Sequence, residues 1–186
     1  MKLILLRCPN CSSALKPGID DIIYACPNCS SAIHIEAEGP KIIGIQYAIP
    51  TKGKDGEEIW VPFWVFEGRV QIKKRETQGR QSNTKDSIAL WGSPRRLYVP
   101  AWDLSIHTAQ EVGSKLTQRQ LTMRFVERPT EAQLTPATVS PADALNLLEF
   151  IVLAIEARRK DWLKELVFDL EVGEPELLAL PRAAIS

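Results

Sequence analysis

All four cysteines of the chain fall within its first 29 residues, as Cys8-Pro9-Asn10-Cys11 and Cys26-Pro27-Asn28-Cys29, with fourteen residues between the pairs. The duplication extends beyond the thiols: Cys-Pro-Asn-Cys-Ser-Ser-Ala recurs eighteen residues on, followed by Leu15 in one copy and Ile33 in the other. A tight Cys-x-x-Cys turn offers two sulfurs to one ion, and its backbone amides spread the thiolate charge through hydrogen bonds. Two such turns brought face to face complete a tetrahedral four-thiolate site for one Zn2+ ion. Four protein ligands leave no position open for water or substrate, so the site is expected to be structural rather than catalytic. The same cage accepts iron, which is the alternative occupant. Disulfides fit less well, because a reducing cytosol favours metal thiolates, and a redox pair would need only one Cys-x-x-Cys.

The elements that must hold these turns are short. Leu3 to Leu6 reads as a strand feeding the first pair, and Pro17-Gly18 as a turn. Ile22 to Ala25 reads as a strand feeding the second pair, and Ala32 to Ala37 alternates as a strand should. So small a module buries little apolar surface, and metal binding would supply much of its folding free energy, on the order of 10 kcal/mol.

These knuckles resemble the zinc-ribbon and rubredoxin-like families over about residues 1–37. The chain departs from the rubredoxin pattern in two ways: Ser12 and Ser30 stand where glycine usually follows the second cysteine of each knuckle, and the spacer is shorter. With Pro62-Phe63-Trp64 and Pro100-Ala101-Trp102 further on, the layout also looks like a group of small bacterial zinc-ribbon proteins with an uncharacterised α+β domain behind the ribbon. The domain reading is accordingly 1–38 for the ribbon and 41–186 for a separately folding α+β domain.

Beyond Gly39-Pro40, Lys41 to Ile49 reads as a strand, Thr51 to Glu58 as a loop and Ile59 to Lys73 as a long strand rich in aromatic and β-branched residues. A polar loop is expected near 76–93. Trp60-Val61-Pro62-Phe63-Trp64 is echoed thirty-eight residues later by Tyr98-Val99-Pro100-Ala101-Trp102, which predicts two equivalent strands bent at proline. Their aromatics suit a shared core. The alternative reading makes Trp60, Phe63, Trp64 and Trp102 an exposed partner surface. A short helix is expected over Asp103 to Gly113 and a strand over Leu121 to Glu127. Ser140-Pro141 signals a helix start, and Ala144, Leu147, Leu148, Ile151, Val152 and Ile155 repeat at helical spacing to about Arg159. Val167 to Val172 alternates, Gly173-Glu174-Pro175 reads as a turn and Leu177 to Leu180 as the returning strand of a hairpin. The fold class is α+β: a zinc ribbon followed by a mostly antiparallel sheet with one main helix.

Lysine plus arginine balances aspartate plus glutamate, 23 against 23, so the whole molecule lacks the basic character of a nucleic-acid binder. The balance is uneven, however. Arg69, Lys73, Lys74, Arg75, Arg80, Lys85, Arg95 and Arg96 face only Glu76 and Asp86, whereas the tail from Ser140 holds nine acidic and five basic residues. The two stretches could attract each other, or the basic one could contact phosphates through Arg69, Lys73, Lys74, Arg75, Arg80, Arg95 and Arg96. No signal peptide or membrane span is read, which makes a cytoplasmic location the default. His34 and His107 read as surface or hydrogen-bonded residues, Asp20-Asp21 and Glu57-Glu58 as solvated turn charges, and no nucleophile elbow, phosphate loop or dinucleotide fingerprint is present. The expected role is therefore a non-catalytic adaptor or assembly subunit with protein partners and no small-molecule substrate. Nucleic-acid binding through 69–96 is the second reading, and a rubredoxin-like iron electron carrier the third.

Overall fold

A computed structural model describes residues 6–51, 58–78 and 83–185. Its first sheet is antiparallel, order β1-β2-β3, formed by β1 (Ile23–Ala25), β2 (Ala32–Glu36) and β3 (Gly39–Ile42). The larger sheet contains β4 (Gln46–Pro50), β5 (Ile59–Gln78), β6 (Arg95–Pro100), β7 (Met123–Val126), β8 (Gln133–Leu134), β9 (Trp162–Val172) and β10 (Glu176–Pro181). Three α-helices occur among the described residues: α1 (Thr84–Trp91), α2 (Ile106–Arg119) and α3 (Pro141–Ala157). The α+β class holds, with more helix than expected. Most strand pairs are antiparallel, and β10–β4 and β5–β8 are parallel.

The long aromatic strand organises the sheet. β5 runs for 20 residues and pairs with β6 on one side and with β10, then β9, on the other. The two aromatic echoes lie side by side, with Phe63 opposite Pro100 and Val65 opposite Tyr98. Both faces of β5 are covered. Trp64, Phe66 and Val70 join Leu148, Ile151, Val152 and Ile155 of α3 in one cluster, while Val61, Phe63 and Val65 join Tyr98, Leu116 and Leu180 in another. The helical spacing seen in the sequence therefore marks the buried side of α3. Ser140 caps that helix by accepting from the Asp143 amide, and Pro141 opens it.

Several expectations are corrected. The Gly173-Glu174-Pro175 segment does not reverse the chain. β9 and β10 both run antiparallel to β5, with Gly68 opposite Val172 and Val65 opposite Glu176, so three steps along β5 face four along the other strand. The turn residues thus make a one-residue bulge, anchored where the Gly173 amide donates to the Glu67 carbonyl at 3.1 Å. Gly68 is required there, because a Cβ would stand 2.2 Å from the Glu171 carbonyl oxygen. The polar loop near 76–93 is instead the end of β5, which reaches Gln78, and helix α1, while residues 79–82 lie outside the described residues. α1 forms because Trp91 has a buried partner to reach. The short helix expected over Asp103 to Gly113 runs on as α2 to Arg119, capped by Ser105. Lys41 to Ile49 divides between β3 and β4, and Gly39-Pro40 lies inside β3, so the ribbon's sheet extends past residue 38.

The residues that recruit α1 are charged. The Arg75 side chain, fully buried, donates to Glu156 at 2.8 Å and to both Asp161 carboxylate oxygens at 2.6 and 2.8 Å. Trp91 Nε1 and Arg159 Nε each donate to Glu156 at 2.8 Å, and the Asn83 amide to Asp161 at 2.7 Å. Two cations and two anions thus tie β5, α1, α3 and the α3–β9 connection together, with every carboxylate oxygen engaged. Hydrogen bonds from Arg75 hold the Asp161 carboxyl well below its usual range. Burial opposes ionisation of Glu156, but hydrogen bonds from Arg159, Arg75 and Trp91 outweigh it and lower that carboxyl too.

Depressed carboxyl values mean that stability from this cluster is complete above the ordinary carboxylate range near pH 4 and fades as the pH falls through the folded values. Asp161→Asn is expected to cost about 3–5 kcal/mol at neutral pH by leaving Arg75 under-neutralised. In urea unfolding, its deficit against the wild type should narrow below about pH 4; a deficit independent of pH would contradict this assignment.

Candidate metal centre

The two knuckles repeat in three dimensions as in sequence. The Cys8 amide donates to the Ser13 carbonyl and the Ser12 amide to the Cys8 carbonyl, both at 2.9 Å. Their counterparts, Cys26 to Ser31 at 2.9 Å and Ser30 to Cys26 at 2.8 Å, close the second turn in the same way. Each turn requires a left-handed residue after its second cysteine, and Ser12 and Ser30 adopt φ of 60° and 62°. This is the position at which the rubredoxin pattern has glycine.

The four cysteines cluster within metal-binding distance, their sulfurs all within 4.8 Å of one another, and could hold a metal ion. Cys8 and Cys29 are 3.5 Å apart at Sγ, as are Cys11 and Cys26. A tetrahedral cage with metal–sulfur bonds of about 2.3 Å has edges of about 3.8 Å, whereas a disulfide bond is about 2.05 Å. The donor set therefore fits a single thiolate-bound ion, with one long-range sulfur pair bridging the knuckles on each side. Hydrogen bonds from Ser13 and then Asn28 lower the Cys11 thiol to about 5, and the Ser31 hydroxyl and amide lower Cys29. Burial instead pushes Cys8 up to about 11, against hydrogen bonds from the Cys11 and Asn10 amides. The duplicated serines, Ser13 and Ser31, thus each support the second thiolate of their own knuckle.

The ribbon is not set apart from the larger sheet. Ile23 and Ala32 belong to the same buried cluster as Trp64, Leu148 and Ala137. The Ile22 and Ile23 amides donate to the Ala137 carbonyl at 2.7 and 3.1 Å, and the Ala137 amide returns a bond to Ile23 at 2.9 Å. Next along the chain, the Thr138 and Val139 amides donate to Ala101, Trp64 Nε1 donates to the Val139 carbonyl at 2.8 Å, and Ser140 caps α3. The two sheets thus meet in one buried cluster, while Cys8, Leu15, Cys26 and Ile33 form a cluster of their own around the knuckles.

The aromatic surface is corrected as well. Trp60, Phe63 and Trp64 are buried, and half-buried Trp102 packs edge-on against Phe63, 5.1 Å between centroids. They are core because β5 is sandwiched on both faces. The proposed phosphate contacts are mostly spoken for within the chain. Arg69 meets Glu171 at 2.6 Å, Lys73 meets Asp169 at 3.2 Å, Lys74 meets Glu165 at 2.8 Å and Arg96 meets Glu67 at 3.0 Å. Arg75 is the buried ion of the Glu156–Asp161 cluster. Arg95 lies over the Trp91 ring, 5.6 Å from its centroid, and Arg80 lies outside the described residues. The basic strand and acidic tail attract each other because β9 is the neighbour of β5.

His34 sits 3.2 Å from Glu36, and His107 is an exposed residue at the start of α2. Sequence reasoning missed the Arg75–Glu156–Asp161 cluster, although one signal was available: Glu156 follows Val152 by four residues and Leu148 by eight, on the apolar face of α3. No helix among the described residues is long and apolar enough to cross a membrane. Comparison with protein-family models, with curated proteins and with solved structures finds no match to this chain.

Two outcomes follow from this geometry. Ser12→Gly and Ser30→Gly should each stabilise the ribbon by about 1 kcal/mol by removing left-handed strain, read as slower loss of metal to a chelator. Metal removal should disturb more than β1–β3: amide exchange at Ala137, Thr138 and Val139 should accelerate and the Trp64 near-ultraviolet signal should change. Unaltered exchange at those three amides would mean that the seam does not depend on the ribbon.

Proposed function

We propose that this chain is a non-catalytic adaptor or assembly subunit of a larger protein complex, its four cysteines holding one structural zinc ion. Zinc suits a closed four-thiolate cage that leaves no ligand position free. Serine in place of the knuckle glycines and the short spacer weigh against a rubredoxin-like iron site.

The observation that carries this reading is the set of exposed apolar side chains on α3 and at the start of β9. Leu145, Phe150 and Leu153 of that helix are exposed, although Ala144, Leu148, Ile151, Val152 and Ile155 are buried. Trp162 follows at 75% exposure, while Trp60, Trp64 and Trp91 are buried and Trp102 is half-buried. Leu153, Ala157 and Trp162 line one surface cleft, and exposed apolar patches mark interaction surfaces. Pairing of the basic strand with acidic β9 leaves fewer cations for phosphate and supports a protein partner over nucleic acid.

Native protein purified from a nuclease-treated lysate should elute well above twice the chain mass with stoichiometric protein partners, identified by mass spectrometry across the fractions. It should be colourless and contain one zinc per chain. Elution without partners would count against the assembly role, a shift produced by nuclease would favour nucleic acid, and a coloured iron-containing protein would replace zinc with the electron-carrier reading.

A further inference from the structure

Five cations of the basic stretch, Arg69, Lys73, Lys74, Arg75 and Arg96, pair with carboxylates. Arg95, partly buried, does not. Its Nε is buried with no hydrogen-bond partner among the described residues, and burial pulls its pKa below the ordinary arginine value. A cation held partly out of water without an opposite charge is costly. Arg95 is nevertheless fixed there, against the Trp91 ring and by a 3.4 Å hydrogen bond to the Thr117 carbonyl at the C-terminal end of α2.

Arg95 lines a cleft of about 370 Å3 together with Glu67, Arg96, Tyr98 and Gln120. Neighbours on a strand point to opposite faces, but β6 is the edge of its sheet and Arg95 reaches past that edge to α2. The Thr117 carbonyl that accepts from Arg95 also accepts from Gln120 Nε2 at 2.8 Å. Gln120 in turn brackets Arg96, accepting from its amide at 3.1 Å and donating to its carbonyl at 2.7 Å. Both arginines are thereby tied to one side chain. The carboxylate on Arg96 is that of Glu67, 3.0 Å away on a side chain 70% exposed. Tyr98 is 1% exposed, and its hydroxyl makes no hydrogen bond among the described residues, although Arg96 stands beside it.

We propose that this cleft binds an oxyanion, a carboxylate or phosphate group of a ligand, held between Arg95 and Arg96. Two guanidinium groups against one exposed carboxylate leave the cleft positive in a molecule whose charges otherwise balance. The planar fork of arginine matches the paired oxygens of both groups. Glu67 already sets a carboxylate on Arg96 from the solvent side, and an exposed pair of this kind holds weakly enough to be displaced. The Tyr98 hydroxyl is a further donor on the wall of the cleft. A single oxyanion fits better than a nucleic-acid backbone, because Arg69, Lys73 and Lys74 further along the basic stretch are already matched by acids of β9.

The test is an NMR titration of the full, metal-loaded chain with sodium phosphate and, separately, sodium acetate, at constant ionic strength. The Nε–H signals of Arg95 and Arg96 and the side-chain amide of Gln120 should shift and saturate, with half-saturation at about 1–10 mM for the tighter anion. That anion identifies the group: acetate points to an acidic side chain or chain terminus, phosphate to a phosphorylated ligand. Glu67→Gln removes the internal competitor at an exposed position, so it should leave the fold unchanged and tighten binding about two- to fivefold. Arg95→Gln should weaken binding about tenfold or more. Because Arg95 also holds the end of α2, its circular dichroism is checked, and the gain in Glu67→Gln stands independently of that variant. Shifts that fail to saturate by about 100 mM, shifts spread equally over Lys73 and Lys74, or an affinity unchanged by Glu67→Gln would each overturn the proposal.

Discussion

The backbone of β5 is the constraint on which the rest of the molecule rests. Its twenty residues hydrogen-bond to β6, β8, β9 and β10, so the sheet cannot assemble until this one strand is in register. A strand covered on both faces must be apolar on both, and the run from Trp60 to Phe66 is. Toward Gln78 the strand leaves the shelter of β6, and its outward side chains become Arg69, Lys73 and Lys74, matched by acids on β9. One strand therefore carries both the aromatic core and the charged ribbon. The change occurs at Gly68, where the absence of a side chain lets the bulged partner pass.

Closing the far end of that strand needs the buried ions. Four charged side chains, one from β5 and three from the end of α3 and beyond, are brought together with matched signs and every carboxylate oxygen hydrogen-bonded, the condition under which burying charge is tolerable. An apolar substitute could fill the same volume, but it would not draw in the Trp91 indole and the Asn83 amide as the carboxylates do. The cluster sets where α1 docks, and with it the position of the chain that leads into β6.

The four cysteines lie in a smaller buried cluster with Leu15 and Ile33. They lie outside the large sheet, yet β1 is bonded to the segment that becomes the cap of α3, and Ile23 is buried beside Trp64 and Ala137. That seam joins the ribbon directly to the residues that open α3. The ribbon thus buttresses the helix whose outer face is the exposed one.

The sequence by itself determined the features that local spacing encodes. A duplicated Cys-Pro-Asn-Cys brings four sulfurs together because each turn is built from consecutive residues, and the cap and apolar repeat of α3 are written within a few turns of one helix. The α+β class and the strand character of the two aromatic echoes were legible for the same reason, whereas their pairing with each other was not. What depends on residues far apart was decided only in three dimensions. Gly173-Glu174-Pro175 reads as a hairpin turn until β5 proves long enough to pair with both flanking strands. Arg75 reads as one of a basic run until Glu156 and Asp161, more than eighty residues away, enclose it. The aromatics of β5 could have faced solvent until α3 and the second cluster covered both sides. In each case the free energy comes from burial and pairing between distant segments, and no local pattern records which segment will be the neighbour.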